Sequence, residues 1–594
     1  MPHTDPSAAA TADAVAVAAR LAAPGAPFAV EDGVYVEGPR TLREFVEATW
    51  AYGDRPFLVS EDGVLTYRAF FDAACGLARR FVDDHGLRPG DRAVVAMRNH
   101  PEWQIAFWAA QLAGLVAVPL NAWWTEEEFS HALDDCTPGI LLVDGERAGR
   151  VERWAREHRV PGIVFHPETH PESRPGFHPE SRPGFHPESR PETGARLPDG
   201  FRVYAPDTDP YLGPPPVEVL PEHDATIIYT SGTTGRPKGA VATHLAQAGA
   251  AMNPRYYAAA SALGRGTVPG QGPTPVSLTT FPFFHVAAFT SFYSVMAAGG
   301  SLVLMRKWDP ATALELIRRH GVTHYAGVPT TALGLLDLAE RVGDPLTSLV
   351  MLNTGGAAAP PEIVARLTAA YGERVEPRNG YGLTETCGGV LANFGAEYRA
   401  YPTSVGRPTP ATEVRIDRPD ADGIGELWLR GQSLVRGYWG DEAATREAFT
   451  EDGWFRTGDL ARIVDGRVTV VDRLKDMVIR GGENVYCAEV EAVLHDHPDV
   501  ADAAVLGVPH PALGEEVAAV LRLREGAAVT VEELRAHVGA RLAAFKVPAH
   551  VHVRQEELPR NATGKVLKRE LREQLREQLT DQLREQLTER VRSA

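Results

Sequence analysis

Residues 229–239 read Tyr229-Thr-Ser-Gly-Thr-Thr-Gly-Arg-Pro-Lys-Gly239 and are the most informative segment for the class of fold. It directly follows the strand-like run from Ala225 to Tyr229. Hydroxyl residues and glycines placed after a strand allow successive backbone N–H groups to face a phosphate, and the hydroxyls and Lys238 add further donors. The spacing is neither G-x-x-x-x-G-K-[ST] nor G-x-G-x-x-G, so the segment is not one of the two common nucleotide-binding loops.

Eight further motifs follow this segment at wide intervals. In order they are Phe281-Pro-Phe-Phe-His285, Asn353-Thr-Gly-Gly-Ala357, Tyr381-Gly-Leu-Thr-Glu385, Gly425-Glu-Leu427, Trp454-Phe-Arg-Thr-Gly-Asp459, Asp472-Arg-Leu-Lys-Asp476, Gly481-Gly-Glu-Asn-Val-Tyr486 and Pro559-Arg-Asn-Ala-Thr-Gly-Lys565. Taken singly, these residues have ordinary structural explanations. In this order, from about residue 57 to about residue 570, the set resembles the adenylate-forming superfamily of acyl-CoA synthetases, aryl-CoA ligases, luciferases and peptide-synthetase adenylation domains.

The resemblance implies a nucleotide site assembled from several motifs. The glycine-rich segment would hold the phosphates, the segments at 355–357 and 381 would lie beside adenine, and two later residues would contact the ribose. The residues expected to bind ATP or AMP are Thr230, Ser231, Gly232, Thr233, Thr234, Gly235, Lys238, Gly355, Gly356, Ala357, Tyr381, Asp459 and Arg473.

The resemblance also implies which residues act in catalysis and which cofactors they use. The expected catalytic residues are Lys565, Thr384, Glu385 and His285. Glu385 would be the metal ligand, since Mg²⁺ is commonly held by one or two carboxylates together with phosphates. The segment Gly481, Gly482 and Glu483 would line a tunnel for CoA, and Lys475 would be a hinge between two catalytic conformations. The family very often has Pro where this chain has Cys487, a change that leaves the glycines intact.

Lysine usage supports these assignments independently. Of the 60 Lys and Arg residues only six are lysines, so 54 are arginines. Lys238, Lys475 and Lys565 lie inside three motifs, Lys546 and Lys568 flank the last one, and only Lys307 lies elsewhere. Because Arg does not replace Lys where a compact ammonium must approach one oxygen, the retention indicates function at these positions.

The expected architecture is α/β with α+β elements. Alternation of helix and strand patterns from about residue 57 predicts stacked layers with largely parallel sheet. The pattern places a helix near 70–82, a strand at 93–97, a helix at 104–112 and a strand at 115–120. The resemblance implies a large N-terminal domain with a distorted β-barrel subdomain and a small, mobile C-terminal domain. The expected bounds are 1–40 (flexible extension), 41–471 (N-terminal domain), 472–475 (hinge), 476–570 (C-terminal domain) and 571–594 (helical, charged, leucine-repeat tail).

Two repetitive segments interrupt or extend this plan. His-Pro-Glu-Ser-Arg-Pro-Gly-Phe occurs at 170–177 and 178–185 and begins again at 186–190. We interpret 166–190 as a repeat-expanded loop insertion, with a polyproline docking segment or a His-rich metal binder as alternatives. The leucines spaced by four from 571 to 587 drift around a helix, which favours a solvated extension over a coiled-coil seam that would join copies of the chain.

Composition restricts the function classes. A net charge of −18 without a basic block argues against nucleic-acid binding. No run of 18 apolar residues predicts a membrane span, and four widely spaced cysteines predict neither a disulfide framework nor a zinc site. We therefore expect a cytoplasmic protein whose partners are a small carboxylic acid and CoA, with a homo-oligomer left open.

The predicted activity is ATP-dependent activation of a hydrophobic carboxylic acid, a fatty acid in the first instance, to an acyl-adenylate, followed by transfer to CoA. The apolar residues around Phe283, Phe284 and Phe289 offer no partner for an α-amino group. The alternatives are delivery to a carrier protein or another acceptor, and activation of an aryl acid or of a non-carboxylate nucleophile. A protein that only binds nucleotides is disfavoured because Glu385 and Lys565 are both present.

Overall fold

The structure, a computed structural model, describes residues 6–167, 197–206, 213–230, 237–510, 512–560 and 566–575, without the side chains of residues 6–9. Most of the predicted insertion at 166–190 and most of the tail at 571–594 therefore lie outside the described residues. The same holds for five of the residues expected to bind ATP and for one catalytic candidate, namely Ser231, Gly232, Thr233, Thr234, Gly235 and Lys565.

The chain divides into two compact units. The first comprises Met1–Glu413 with Leu429–Phe455, and the second comprises Val414–Trp428 with Arg456–Ala594. The division precedes the expected hinge at 472–475, because strands between 412 and 473 pair with one another in a separate sheet.

The first sheet of the first unit has eight strands and a parallel centre. Arg92–Ala96 pairs in parallel with Val116–Pro119 on one side and with Ile140–Asp144 on the other. These strands are buried on both faces, which explains why their sequences are continuously apolar. In spatial order the strands are Gly437–Tyr438, Lys238–Thr243, Asp224–Thr230, Val116–Pro119, Arg92–Ala96, Ile140–Asp144, Gly162–Phe165 and Phe201–Val203.

The second sheet of this unit has nine strands, again mostly parallel in its centre. Met351–Gly355 pairs in parallel with His324–Gly327 and with Glu376–Leu383, which then turns back antiparallel into Gly388–Phe394. In spatial order the strands are Arg407–Pro408, Gly388–Phe394, Glu376–Leu383, Met351–Gly355, His324–Gly327, Val276–Thr279, Ser301–Val303, Pro56–Ser60 and Gly63–Thr66. A small hairpin pairs Val30–Glu31 with Val34–Tyr35.

Helices cover both faces of the two sheets. Ala93 and Val95 contribute to the largest apolar core, which contains residues from both sheets, whereas Val94 and Ala96 face a second core on the opposite side. This alternation is the period-two pattern of a strand buried on both faces. The α-helices are Pro6–Ala22, Leu42–Thr49, Tyr67–Asp83, Pro101–Leu112, Glu126–Cys136, Gly145–His158, His244–Gly264, Val286–Ala298, Pro310–His320, Pro329–Val342, Glu362–Tyr371, Gly395–Ala400 and Glu442–Ala448, with short 3₁₀ turns at Trp50–Tyr52 and Thr384–Thr386.

The second unit contains two sheets. The four-stranded sheet has the order Thr412–Asp417, Gly425–Gly431, Phe455–Val464, Arg467–Arg473. The five-stranded sheet runs Glu483–Val485, Val478–Arg480, Gly514–Leu523, Val500–His510, with His550–Arg554 also pairing with Gly514–Leu523. The helices are Cys487–His495 and Val531–Gly539, with a 3₁₀ turn at Ala544–Lys546 and a helical segment at 568–575.

The predicted mixed α/β class with several sheets is confirmed. Of the predicted elements, the helix at 104–112 begins earlier, at Pro101, because proline suits the first position of a helix. Among the described helices, none combines the length and the apolar character needed to cross a membrane.

Candidate active site

The two ends of the glycine-rich segment meet at the edge of the first sheet. Asp224–Thr230 and Lys238–Thr243 are antiparallel neighbours, and Thr230 lies opposite Lys238. Both residues are half-buried. The structure thus places Thr230 and Lys238 side by side at the base of the segment whose centre, 231–236, lies outside the described residues.

Glu385 lies close to this base. It sits in the 3₁₀ turn that follows the strand Glu376–Leu383, and its Oε1 accepts a hydrogen bond from the Tyr438 hydroxyl at 2.7 Å. The Lys238 ammonium lies over the Tyr438 ring, 5.4 Å from its centroid. Burial, followed by the nearby Glu385 carboxylate, raises the pKa of the Tyr438 hydroxyl. Tyr438 therefore remains a hydrogen-bond donor and connects the predicted metal ligand to the predicted phosphate-binding lysine.

Tyr438 was missed by the sequence analysis. Its short strand pairs with Lys238–Thr243, with Tyr438 opposite Ala240, so sheet pairing brings it to the site. No local pattern around position 438 indicates a contact with a residue 53 positions earlier. The pairing of the edge strand Gly437–Tyr438 with the distant strand Lys238–Thr243 creates this contact.

The turn that carries Thr384 and Glu385 is held by its own hydrogen bonds. The Thr386 hydroxyl accepts from the Leu383 amide at 2.8 Å and contacts the Gly388 carbonyl at 2.7 Å. Cys387 ends the turn in the left-handed region and is buried. These contacts give Thr384 and Glu385 a fixed backbone, with both side chains partly exposed.

The segment at 355–357 follows the neighbouring strand of the second sheet. Gly355 lies opposite Gly380 in parallel register, so this segment and Tyr381 leave the sheet at the same edge. Gly356 lies beside Phe281, since a Cβ at this position would be 3.8 Å from the phenyl ring. The structure therefore brings together three of the sequence motifs, at 281–285, 353–357 and 381–385.

His285 caps the helix Val286–Ala298. Its Nδ1 accepts a hydrogen bond from the Ala287 amide at 3.2 Å, which places the imidazole proton on Nε2. Burial lowers the pKa of His285 to about 4, so the ring is neutral at pH 7. The helix is tied to the strand that follows the turn of Thr384 and Glu385 through Thr290, whose hydroxyl accepts from the Gly389 amide at 3.1 Å.

Two aromatic side chains of this segment belong to the core. Phe283 and Phe289 pack against Trp103 with ring centroids 5.2 Å and 6.3 Å away, and both are almost completely buried. Their apolar character therefore reflects packing as well as any contact with an acyl group. Phe284 differs because it stacks edge-on against Trp123, whose side chain is exposed.

Asn99 fixes the backbone of the same segment. Its amide nitrogen donates to the Phe281 carbonyl at 2.9 Å, and its amide oxygen accepts from the Phe283 amide at 2.8 Å. Asn99 follows the strand Arg92–Ala96 of the first sheet. One side chain thus joins the edges of the two sheets next to His285.

The second unit carries the predicted ribose-binding pair. Asp459 and Arg473 lie opposite each other on antiparallel strands, and the Arg473 Nε lies 2.8 Å from the Asp459 carboxylate. Asp459 is buried, whereas the Arg473 side chain is about one-third exposed (31%). Lys475 follows the same strand and is exposed beyond a tight turn, in which the amide of Asp476 donates to the Arg473 carbonyl at 3.0 Å.

Gly481 and Gly482 form the two-residue turn of a β-hairpin. Their φ angles of +61° and +90° are those of a turn whose two central residues are left-handed, and Arg480 pairs with Glu483 across it. Side chains are disfavoured at both positions, which accounts for the glycine pair without a ligand. Glu483 is exposed at the end of the hairpin.

A buried charge cluster of the second unit was also missed by the sequence analysis. The Lys568 ammonium lies 2.7 Å from the Glu491 carboxylate, and the Asp472 carboxylate accepts from the Cys487 amide. Burial raises the pKa of Asp472 to about 6, and Lys568 moderates the increase. Lys568 lies three residues after Lys565, so the cluster anchors the chain next to the predicted catalytic lysine.

The chain belongs to the family of AMP-binding enzymes. The family model described as AMP-binding enzyme matches residues 45–439, and the AMP-binding enzyme C-terminal domain matches residues 489–565. Among curated proteins, the feruloyl-CoA synthase of Amycolatopsis sp is 33% identical over 496 residues, covering 82% of this chain and 90% of the relative. The long-chain-fatty-acid–CoA ligase of Thermus thermophilus is 34% identical over 511 residues, covering 82% and 86%.

Solved structures give the same result. ATP-bound MatB from Rhodopseudomonas palustris superposes with a TM-score of 0.73 at 26% identity, covering 90% of this chain and 98% of that one. The o-succinylbenzoate-CoA synthetase MenE of Bacillus subtilis, in complex with the acyl-adenylate OSB-AMP, gives 0.70 at 28% identity, covering 89% and 97%. The predicted adenylate-forming architecture and the predicted class, an AMP-forming acid–thiol ligase, are confirmed.

Proposed function

We propose that this protein uses ATP to convert a hydrophobic carboxylic acid into an acyl-adenylate and then transfers the acyl group to CoA. The observation that carries the proposal is the contact between Glu385, Tyr438 and Lys238 at the base of the glycine-rich segment. In the first step a carboxylate oxygen attacks the α-phosphorus, and pyrophosphate leaves with the electrons of the broken P–O bond. In the second step the CoA sulfur attacks the acyl carbonyl carbon, and AMP leaves.

The first step requires positive charge and donors around the phosphates. Thr230, Lys238 and the backbone of 231–236 would hold the β- and γ-phosphates, because consecutive N–H groups and an ammonium stabilise anionic oxygens. Tyr381 and residues 355–357 would contact the adenine, while Asp459 and Arg473 would contact the ribose. The register that sets Thr230 opposite Lys238 supports this arrangement.

Glu385 suits the role of Mg²⁺ ligand. One of its oxygens accepts from Tyr438, while the other has no hydrogen-bond partner within the part of the chain that the structure describes. A single carboxylate completed by phosphate oxygens and water is a usual environment for Mg²⁺. When bound, the ion neutralises charge on the phosphate oxygens. Tyr438 orients the carboxylate, and the Thr386 hydrogen bonds keep its turn in place.

The acid would lie beside Phe281, Gly356 and His285. The neutral His285 ring can donate from Nε2 without adding a charge to an apolar site. The names of the relatives include feruloyl and long-chain fatty acids, so we propose a fatty or an aryl acid as the substrate class. We propose a cytoplasmic location, because the four cysteines are buried free thiols.

Lys565 is the proposed cation that contacts the α-phosphate and the acyl carboxylate during adenylation. It lies outside the described residues. Lys475 is proposed as the hinge that allows Gly481, Gly482 and Glu483 to line the CoA path in the second step. The exposed position of Lys475 after a tight turn supports a pivot there.

Pyrophosphate release across a panel of fatty, branched, alicyclic and aryl acids tests the proposal. Each acid is measured with CoA, without CoA, and with a carrier protein. We expect acid-dependent pyrophosphate release and a thioester product with CoA. Release with an amine or a carrier protein, but with no acid–CoA pair, would contradict the proposal.

Replacing Lys565 with Ala tests the catalytic assignment, and Lys307→Ala is the matched control because Lys307 lies outside all motifs. We expect the acid-dependent ATP–pyrophosphate exchange of Lys565→Ala to fall by about 10²- to 10³-fold, the effect of losing one charge-stabilising donor. Thioester formation from supplied acyl-adenylate should be retained. Equal activity of the two variants in the exchange assay would refute the role of Lys565.

A Lys475→Pro variant tests the hinge. Fixing the backbone at this position should preserve adenylation and slow thioester formation, because only the second step requires the rotation. A parallel loss of both steps would count against a hinge at Lys475.

A further inference from the structure

Two histidines and one glutamate, none of which has a role in the proposed reaction, meet at the edge of the first sheet. His100 precedes the helix Pro101–Leu112, Glu102 lies in its first turn, and His166 directly follows the strand Gly162–Phe165. The strands that lead to them, Arg92–Ala96 and Gly162–Phe165, flank Ile140–Asp144 in one parallel array. Their carboxyl ends therefore share an edge, as ligand-binding loops of parallel sheets do.

The ligand atoms of these three side chains converge. The Nε2 of His166 lies 2.8 Å from the Glu102 carboxylate, and the His100 and His166 rings stack with centroids 4.3 Å apart. One ligand atom from each residue lies within 4.8 Å of the other two. Ligands of tetrahedral zinc at bond lengths of about 2.0–2.1 Å are roughly 3.3 Å apart, so small side-chain rotations would close the set around one ion.

The electrostatic environment suits a cation. Glu102 supplies a carboxylate, and His100 and His166 supply ring nitrogens that bind a metal in their neutral form. Arg306 is the nearby positive group, and it is offset by Asp62, whose carboxylate lies 2.9 Å from its guanidinium.

The backbone of His166 has a left-handed conformation. Its φ of +50° is uncommon for a residue with a side chain, and its carbonyl accepts from the Gly145 amide at 3.2 Å. A Cβ on Gly145 would lie 2.7 Å from that carbonyl oxygen, so the close approach requires glycine. The position of the His166 ring next to Glu102 is thus determined by two elements of the sheet edge.

We propose that His100, Glu102 and His166 form a binding site for a divalent transition-metal ion, best suited to Zn²⁺, with water completing the coordination. Two imidazole nitrogens and one carboxylate are a usual ligand set for zinc, whereas Mg²⁺ prefers oxygen ligands. The ion would join the end of the strand Gly162–Phe165 to the start of the helix Pro101–Leu112. The cluster shares no residue with the proposed Mg²⁺ site at Glu385, and the proposal does not depend on the proposed reaction.

Co²⁺ titration of the full chain tests the proposal, with visible absorption as the readout of tetrahedral nitrogen and oxygen ligation. The protein is first stripped with a chelator, and excess Mg²⁺ is present so that Glu385 does not take up the probe. We expect one equivalent of Co²⁺ to bind and to be displaced by Zn²⁺. His100→Ala and His166→Ala should lose this equivalent, and Glu102→Gln should weaken its binding by at least tenfold.

Two controls distinguish the site from other histidines. His320→Ala removes a histidine of another helix and should leave the titration unchanged. Deletion of 170–190 removes the His-Pro-Glu repeats that follow His166 in the sequence and should also retain the equivalent. Glu102→Gln preserves the shape of the side chain. If His100→Ala fails to fold, the Co²⁺ affinity of Glu102→Gln therefore still tests the proposed site. Absence of binding by the wild type, unchanged binding by Glu102→Gln, or loss of binding on deletion of 170–190 would each overturn the proposal.

Discussion

Replacement of Lys568 with Met should destabilise the second unit and impair the first catalytic step together. The Lys568 ammonium lies 2.7 Å from the Glu491 carboxylate, with only 17% and 20% of the two side chains exposed. The Glu491 Oε1 also accepts from the Val505 amide at 2.7 Å. The nearby buried Asp472 adds a second carboxylate, so Lys568 is the cation that compensates both.

The expected loss of stability follows from the carboxylate charge that remains buried when Met replaces Lys568. Removing one partner of a buried ion pair costs about 3–5 kcal/mol, because the other charge remains buried and unpaired. The residual exposure of both side chains places the expected loss near the lower limit, about 3 kcal/mol. For a unit of this size the corresponding decrease in Tm is roughly 6–12 °C.

A double-mutant cycle measures this coupling. Urea unfolding is recorded for the wild type, Lys568→Met, Glu491→Gln and the double variant, and pyrophosphate exchange is followed in parallel. Glutamine keeps the acceptor for the Val505 amide but removes the charge, so the double variant should regain at least half of the lost stability. Additive losses to within about 0.5 kcal/mol, the usual agreement for independent sites, would refute a coupled pair.

Three further outcomes are expected. Tyr438→Phe removes the donor to Glu385 but keeps the ring. The rate of ATP–pyrophosphate exchange at saturating Mg²⁺ should therefore fall about tenfold, which corresponds to the roughly 1.5 kcal/mol of a hydrogen bond to a charged group. A wild-type rate of exchange would contradict a role for this contact. Burial raises the pKa of Asp472 to about 6, so between about pH 4 and pH 6 the folded chain binds one more proton than the unfolded chain. The stability of the wild type should therefore fall relative to that of Asp472→Asn as the pH rises through this window. Parallel stability profiles of the two proteins, measured by urea unfolding, would exclude this effect of Asp472. Asp459→Asn keeps the size of the side chain but weakens the pair with Arg473, so the KM for ATP should rise. Circular dichroism should show that the variant stays folded. An unchanged KM for ATP would argue against ribose binding by Asp459.

Local patterns predicted the elements better than their partners. The strand at 92–96 and the helix at 101–112 were predicted to within three residues, because a run of buried residues and a helical period are visible in a single segment. The contacts of Glu385 with Tyr438 and of Lys568 with Glu491 were not predictable in this way. They depend on which distant strands and helices pair, and neither spacing nor charge pattern encodes that choice.

The histidines also show that local patterns predict local contacts better than contacts between distant elements. His285 was predicted because it ends a recognisable motif, and its capping of the helix Val286–Ala298 is a local interaction. His100 and His166 are separated in the sequence by six helices and strands, so only the order of parallel strands brings them together. The interpretation of 166–190 as a repeat-expanded loop insertion stays a prediction, since 168–196 lie outside the described residues.

Asn99 determines which part of this protein can be exchanged in a chimera. Its amide pairs with the backbone at Phe281 and at Phe283, although it follows a strand of the other sheet. A graft of residues 281–289 of this chain into a relative that lacks an asparagine at the position of Asn99 would leave these backbone groups unpaired, at a cost of about 1–3 kcal/mol for each buried group. The unit to be transplanted is therefore discontinuous in sequence, and it includes position 99 together with the grafted segment.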